Sequence, residues 1–160
     1  MANPGRAFAL ELNGGGGDRF ALDLVGYQFP DSYDNEWDAN WLQIAIQAAV
    51  GGRAWGRVDP SLLTADVSDL ADWLDAVAAG PAEHRVIDFT EPNLAFESLV
   101  RTGNEVTVRI RFEQESRPDW APPDDDFHAD LALSPEQLIT AAADLRAQLR
   151  RFPPREVGQA

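Results

Sequence analysis

The sequence predicts an α+β protein of one domain, residues 1–160, whose core spans about residues 6–153. Its centre is a largely antiparallel sheet of seven or eight strands, in the order ββββ-α-ββββ-α, with two helices packed on the sheet. Several short segments alternate apolar and polar residues with a period of two, as strands do. Two longer segments repeat apolar residues at spacings of three and four, as amphipathic helices do. The links between the alternating segments are short, and short links join antiparallel strands.

The first four predicted strands form two hairpins. They are residues 7–12, 20–24, 41–50 and 53–58. Four consecutive glycines, residues 14–17, turn the first hairpin, and Gly51-Gly52 turns the second. Asp59-Pro60 is expected to end the fourth strand.

The first helix is predicted between Thr64 as N-cap and Gly80-Pro81 as stop signal. Its apolar stripe comprises Leu63, Val67, Leu70, Leu74 and Val77. Its opposite side carries Asp66, Asp69, Asp72 and Asp75. These aspartates are interpreted as a solvated helix face, and Trp73 on the same helix as a packing residue.

Four more strands and a second helix follow. The predicted strands are residues 85–90, 94–100, 106–113 and 127–133. Ser134-Pro135-Glu136-Gln137 has the sequence of a capping box with proline at the first helical position. Pro153-Pro154 ends this helix. No repeat at the level of residues relates the two halves of the chain.

The charge of the chain limits its partners. Its net charge is −14, from 27 acidic residues against 13 basic ones, all of them arginine. Direct binding to nucleic acid or to an anionic membrane is disfavoured, because both depend on Lys and Arg that neutralise phosphate. A basic protein partner would be attracted, although solubility alone also accounts for such a charge.

The residue types exclude further classes. The chain has no cysteine, so disulfides, a thiolate nucleophile and a cysteine-based zinc site are excluded. No apolar run has the length of a signal peptide core or of a membrane span. We therefore expect a cytoplasmic protein. No motif of a nucleophilic or metal-dependent enzyme is present, and we expect no enzyme and no cofactor.

Two acidic segments also carry large aromatic residues. The first, "GYQFPDSYDNEWDANWL", begins at Gly26, and the second spans residues 117–126. Tryptophan and tyrosine there are either core anchors or interface anchors, since they are enriched at binding hot spots. Trp55, on a regular strand, is interpreted as packing. The predicted partner-binding residues are Asp31, Tyr33, Asp34, Glu36, Trp37, Asp38, Trp41, Asp119, Trp120, Asp124, Asp125 and Asp126.

Three other kinds of site are weaker interpretations. The glycines at 14–17 lack the helix start and the lysine of a phosphate-binding loop. The acidic residues between Asp31 and Asp38 lack the turn glycine and the final glutamate of a calcium loop. Asp126, His128 and Asp130 share a strand face that could gather a divalent metal, but a solvated strand edge is the preferred interpretation.

Several motifs together resemble the WapI-type immunity proteins of bacterial polymorphic-toxin systems. They are "GYQFPDSYDNEWDANWL", "DPSLLTADVSDLADWL", "DFTEPNLAFESL", "VTVRIRFEQESRPDWAP" and "LSPEQLITAAADLRAQLRRFP". The resemblance runs from about Phe20 to Arg155. The Gly-rich first hairpin and the run of aspartates at 124–126 depart from the pattern.

The resemblance implies a cytoplasmic inhibitor that binds and neutralises a toxin delivered by a sibling cell. Toxins paired with this family resemble nucleases, whose active sites must be electropositive. The predicted acidic and aromatic surface would occupy such a site. The alternative is an α+β domain that binds a metal or a small ligand, or that acts as a hydrolase.

Overall fold

The computed structural model describes residues 8–31, 34–80, 84–123 and 126–157, and these ranges confirm the α+β fold class. Within them lie eight strands, three α-helices and a 3-10 turn at Gln114–Ser116. The strands are β1 (Leu10–Asn13), β2 (Arg19–Tyr27), β3 (Trp41–Val50), β4 (Arg53–Leu63), β5 (Val86–Asp88), β6 (Leu94–Thr102), β7 (Glu105–Phe112) and β8 (His128–Leu133). The helices are α1 (Glu36–Asn40), α2 (Thr64–Ala79) and α3 (Pro135–Leu149). Among the described helices, none has the length and apolar character needed to cross a membrane.

The strands form two antiparallel sheets of four strands each, in the orders β1-β2-β3-β4 and β5-β6-β7-β8. Each strand pairs with its neighbour in the sequence, as the short links predicted. The sequence analysis described these strands as one sheet. The structure divides them because α2 separates β4 from β5, and two sheets can pack their apolar faces on a shared core.

The core lies where the inner faces of the two sheets meet. The ring of Phe20 in the first sheet lies 5.7 Å from that of Phe96 and 5.8 Å from that of Phe112 in the second. Helices α2 and α3 pack against each other and complete the same core, to which Leu74 and Leu145 contribute fully buried side chains. Trp73 is also buried, which confirms its interpretation as a packing residue.

Strand β4 is longer than the sequence predicted. It continues past Asp59-Pro60 to Leu63, so the predicted end of the strand at this dipeptide is wrong. Its register against β3 shifts between Leu42 and Ile44, which marks a bulge. The strand lies at the edge of its sheet, where a proline without an N–H group is tolerated.

The start of α2 also differs from its prediction. The N-cap is Leu63 instead of Thr64, and the Oδ2 atom of Asp66 accepts a hydrogen bond from the Leu63 N–H at 2.9 Å. Asp66 is buried, so its assignment to a solvated face is wrong. Burial raises the pKa of this carboxyl, and the Leu63 hydrogen bond opposes that shift. The Thr64 hydroxyl donates to Oδ1 of Asn40 at 3.1 Å.

The start of α3 confirms its predicted cap. Ser134 Oγ accepts from the Gln137 N–H at 3.2 Å, and Pro135 is the first helical residue. The Gln137 side chain does not complete a capping box, because its Oε1 atom accepts from the Asn13 N–H of β1 at 3.1 Å. The cap therefore also ties α3 to the first sheet.

The glycine-rich segment is a hairpin turn, as predicted. Gly17 has a φ of +92°, which disfavours other residues. A Cβ atom on Gly14 would lie 3.1 Å from Cδ2 of Leu131 in β8. The absence of a side chain at this position therefore lets the first hairpin approach the second sheet closely.

Candidate functional site

The segment between β2 and β3 forms a short helix, α1, which carries three of the predicted site residues, Glu36, Trp37 and Asp38. We call residues 29–31 and 34–40 the acidic lobe. Asn35 caps α1 by accepting from the Asp38 N–H at 2.9 Å, and its Nδ2 atom donates to Asp38 Oδ2 at 3.2 Å. The predicted loop is therefore a helix in part. Asn35 followed by Glu36 and Asp38 is the local signal for this helix start.

The acidic lobe presents its aromatic and acidic groups to solvent. The Trp37 side chain is 57% exposed and that of Phe29 is 37% exposed. Asp31, Asp34 and Glu36 are exposed as well, whereas Asp38 is partly buried by its contact with the cap. Tyr33 lies outside the described residues. An exposed tryptophan contributes little to core packing, whereas tryptophan is enriched at the binding hot spots of protein interfaces.

The outer carboxylates of the acidic lobe differ from several other acidic residues that the structure describes in their ion pairing. In the described part of the chain, no arginine forms an ion pair with Asp31, Asp34 or Glu36. The arginines that do form described ion pairs bind acidic residues elsewhere; they are Arg57, Arg109, Arg111 and Arg146. The negative charge of the lobe is therefore available to a partner.

The base of the acidic lobe is fixed by the C-terminal segment. The guanidinium of Arg155 donates to three backbone carbonyls, those of Ala39 at 2.7 Å, Phe29 at 2.8 Å and Pro30 at 3.1 Å. Its Cζ atom lies 3.7 Å from the centre of the Tyr27 ring. The Tyr27 hydroxyl in turn donates to the carbonyl of Pro153. Tyr27 therefore packs under the lobe.

Trp41, the last predicted residue of the first group, lines a cleft beside the acidic lobe. The cleft has a volume of about 310 Å³. Its other lining residues are Gln28, Asp59, Pro60, Glu91, Asn93 and Glu115. The indole is half-buried and forms one wall. The three carboxylates come from β4, from the β5–β6 loop and from the 3-10 turn, and this separation in sequence is why motif analysis missed them.

The cleft is electrostatically suited to a cation. Burial raises the pKa of Asp59, the nearby Glu115 carboxylate raises it further, and the Arg57 guanidinium opposes both. The Glu115 carboxylate accepts from Nδ2 of the buried Asn93 at 3.2 Å. An incoming ammonium or guanidinium would relieve the repulsion between the carboxylates.

The second predicted segment is more tightly bound to its own chain than the first. The Trp120 ring lies 5.7 Å from Trp55 and 5.4 Å from Phe127, and the Arg53 guanidinium stacks 4.2 Å from it. The packing of Trp55 confirms its interpretation. Trp120 is therefore half-buried, with its ring packed in an aromatic cluster and still partly exposed to solvent.

The acidic residues of this segment differ from those of the acidic lobe. Asp119 is fully exposed but pairs with Arg57 at 2.9 Å. Asp126 pairs with Arg111. Asp124 and Asp125 lie outside the described residues. Because Arg57 and Asp59 point to the same side of β4, the Asp119–Arg57 pair lies near the cleft.

On the strand face of Asp126, His128 and Asp130, both aspartates form ion pairs with arginines. Both Arg109 Nε and Nη2 donate to the Asp130 carboxylate, at 2.8 and 2.9 Å. These hydrogen bonds lower the pKa of Asp130, and Arg111 does the same for Asp126. Glu97 accepts from His84 at 2.6 Å and from Arg111 at 3.2 Å. The described residues contain no group of three or more potential metal ligands.

Comparisons with known proteins agree with the motifs. A sequence model described as the immunity protein WapI-like family matches residues 11–153. The inosamine-phosphate amidinotransferase 1 of Streptomyces glaucescens is 37% identical over 102 residues, which make up 61% of this chain and 28% of that protein. The chain thus spans less than a third of this curated relative. No solved structure matches the chain.

Proposed function

Because the chain belongs to the WapI-like immunity protein family, we propose that it binds a cognate toxin through the acidic lobe and the adjoining cleft. Family membership implies a toxin partner and a role without catalysis. The observation that carries the proposal is the exposed Trp37, surrounded by carboxylates that no described arginine pairs with. The binding surface, the class of toxin and a cytoplasmic site of action are our inferences.

The carboxylates of the acidic lobe supply long-range attraction. Asp31, Asp34 and Glu36 are exposed within a chain of net charge −14. Such a field accelerates association with a basic partner by ~10- to 1,000-fold, and salt screens it. Speed matters for an immunity protein, since the toxin must be bound before it reaches its target.

The aromatic residues of the acidic lobe supply the buried part of the contact. Trp37 and Phe29 expose large apolar surface, and Trp37 lies on the capped helix α1. Binding therefore costs little conformational entropy, and burial of an indole at an interface slows dissociation. The charges would govern the rate of association and the aromatic rings the rate of release.

The cleft supplies a second point of contact. Asp59, Glu91 and Glu115 surround a space with the Trp41 indole on one wall. Carboxylates and an indole face are the groups that bind arginine and lysine side chains. One basic side chain of the toxin would enter this cleft while the acidic lobe contacts the neighbouring surface.

We further propose that the toxin is a nuclease. A nuclease holds phosphate in an electropositive cleft. The carboxylates of the acidic lobe would stand where phosphates lie, and Trp37 would stack where a base stacks. An acidic inhibitor of this kind acts by occupying the substrate site.

Charge reversal tests the surface. Asp31, Asp34 and Glu36 are changed to lysine together, and the toxin domain encoded by the neighbouring reading frame is co-expressed. The matched control changes Asp69, Glu105 and Asp144 to lysine, three exposed residues on other elements. Both variants alter the net charge equally. We expect the first to lose protection and to weaken the purified complex at least ~100-fold, and the control to protect.

Equal loss of protection in the two triple variants would show that only total charge matters and would overturn the proposed surface.

The competing proposal is that the chain binds a metal or a small ligand, or acts as a hydrolase. A curated amidinotransferase matches part of the chain, so the experiments should also test for an enzymatic function. That function predicts activity or ligand binding without any toxin, and it predicts no growth defect when the immunity gene is deleted beside an intact toxin gene.

A further inference from the structure

We propose that Arg155 is a positioning residue for toxin binding, which holds the acidic lobe in its binding-competent shape from below. This inference rests on the proposed function, because it assigns the lobe a partner. It concerns a residue that lies beyond the matched residues 11–153, so the family comparison assigns it no role.

Arg155 closes the acidic lobe by joining its two ends. Nη2 and Nη1 donate to the carbonyls of Phe29 and Pro30, where the lobe begins, and Nε donates to that of Ala39, where α1 ends. A planar guanidinium with fixed N–H directions can bridge carbonyls on two strands of chain at once. The Arg155 side chain thus joins the two ends of the lobe, which the backbone hydrogen bond from the Gln28 N–H to the Trp41 carbonyl also brings together at 2.8 Å.

The backbone of Arg155 is fixed at the same place. Its N–H donates to Asn40 Oδ1 at 2.8 Å, and its carbonyl accepts from Asn40 Nδ2 at 3.0 Å. The Tyr27 ring covers the guanidinium at 3.7 Å. Because its backbone, its N–H groups and one face of the guanidinium are held, the Arg155 side chain is a brace for the lobe.

The cationic side chain of Arg155 donates to backbone carbonyls at the base of the acidic lobe. The outer carboxylates of Asp31, Asp34 and Glu36 remain available to a partner.

Amide hydrogen exchange on the free protein tests the brace without any toxin. In Arg155→Ala, we expect the amides of Asp38, Ala39 and Trp41 to exchange ~10-fold faster or more, since their hydrogen bonds depend on the shape of the lobe. Arg150→Ala is the matched control, because it removes one arginine of the same segment whose side chain is exposed at the end of α3. We expect it to leave those amides unchanged.

Binding to the toxin domain of the neighbouring reading frame, inactivated by mutation, supplies the functional measurement. We expect Arg155→Ala to weaken binding ~10-fold or more, mainly through slower productive association, because the lobe must now be ordered on contact. Chemical denaturation corrects for any global loss of stability. Arg155→Lys retains the charge without the fixed fork of donors, so we expect it to restore little of the affinity.

Four outcomes separate the possibilities. Unchanged exchange in Arg155→Ala overturns the brace whether or not any toxin binds. Faster exchange with unchanged toxin affinity shows that the brace is real but unimportant for binding, which also overturns the inference. Full affinity in Arg155→Lys shows that charge suffices and that bridging does not matter. If the wild-type protein fails to bind the toxin, the proposed function fails, and the exchange experiment still decides the structural role.

Discussion

The side-chain amide of Asn40 and the backbone of Arg155 are joined by two reciprocal hydrogen bonds, at 2.8 and 3.0 Å, between residues 115 positions apart. The same amide also donates to the Glu36 carbonyl and accepts from the Thr64 hydroxyl. Asn40 therefore connects α1, the start of α2 and the C-terminal segment. Together with Arg155, Asn40 holds the acidic lobe against the rest of the fold.

Replacement of this residue tests the connection. Asn40→Ala should lower the free energy of unfolding by about 1–3 kcal/mol, because it leaves partly buried backbone groups without partners. Urea denaturation measures the change. Gln47→Ala, on the exposed part of β3, is the control and should change stability by less than about 0.5 kcal/mol. Equal effects of the two substitutions would contradict the assigned role of Asn40.

The exposed tryptophan should matter for binding and little for folding. Trp37→Ala should change stability by less than about 0.5 kcal/mol and weaken the toxin complex by about 2 kcal/mol, or roughly 30-fold. Surface plasmon resonance measures the second effect, expected mainly in the dissociation rate. Ile139→Ala, at a similarly exposed apolar residue of α3, should leave binding intact. A large loss of stability in Trp37→Ala would assign the indole to packing.

Two helices are tied by one arginine. Arg146 of α3 donates to Asp75 at 2.6 Å and to Asp72 at 2.8 Å, so these two aspartates are not simply solvated as the sequence suggested. Because all three side chains are 40% or more exposed, Arg146→Met should lower the free energy of unfolding by only about 1 kcal/mol. This loss of stability should be smaller in high salt. Asp69→Asn, on α2, should leave the free energy of unfolding unchanged. Additive effects of Arg146→Met and Asp75→Asn would argue against the pair.

The second sheet should lose stability in acid. Hydrogen bonds from Arg109 hold the pKa of Asp130 below its ordinary value of 3.8. A carboxyl whose folded-state pKa is lowered stabilises the fold above its unfolded pKa and loses that contribution as pH falls through the folded pKa. Stability should therefore decline below about pH 4. Asp130→Asn should be less stable at pH 7, by up to about 1 kcal/mol, and should decline less in acid. An equal decline in stability below about pH 4 in the wild type and in Asp130→Asn would contradict this assignment.

Asp59 should behave in the opposite way. Burial and the Glu115 carboxylate raise its pKa, so the folded state binds this proton more tightly and stability falls as pH rises above 3.8. Asp59→Asn should therefore stabilise the protein at pH 7, and the gain should vanish at pH 3. Urea denaturation at both pH values measures the difference. The same variant should bind the toxin more weakly, because the cleft loses a charge. A gain in stability without loss of affinity would remove the cleft from the binding surface.

Much of the fold follows from local patterns. The alternation in residues 106–113 predicted β7 nearly to its ends, and Ser134-Pro135 marked the start of α3. These signals are local, since they depend on periodicity and on caps within a few residues. The end of β4 was mispredicted at Asp59-Pro60 because a bulge on an edge strand absorbs the proline there.

The candidate site was predictable only in part. The motif containing Trp37 indicated both the family and the exposed aromatic group, which the structure places near the exposed carboxylates of Asp34 and Glu36. The same composition in the second segment did not reveal that Asp119 and Asp126 pair with arginines of other strands. Pairing across strands depends on register, which composition does not encode.

The sequence by itself determined the fold class, the family and the excess of negative charge, because periodicity, motif order and composition are properties of the chain read in one dimension. Only the tertiary structure decided which carboxylates remain available. It brought Asp59, Glu91 and Glu115 into one cleft and placed Arg155 under the acidic lobe. The physical reason is that electrostatic free energies depend on distance and burial between residues far apart in the chain, and these exist only once the chain has folded.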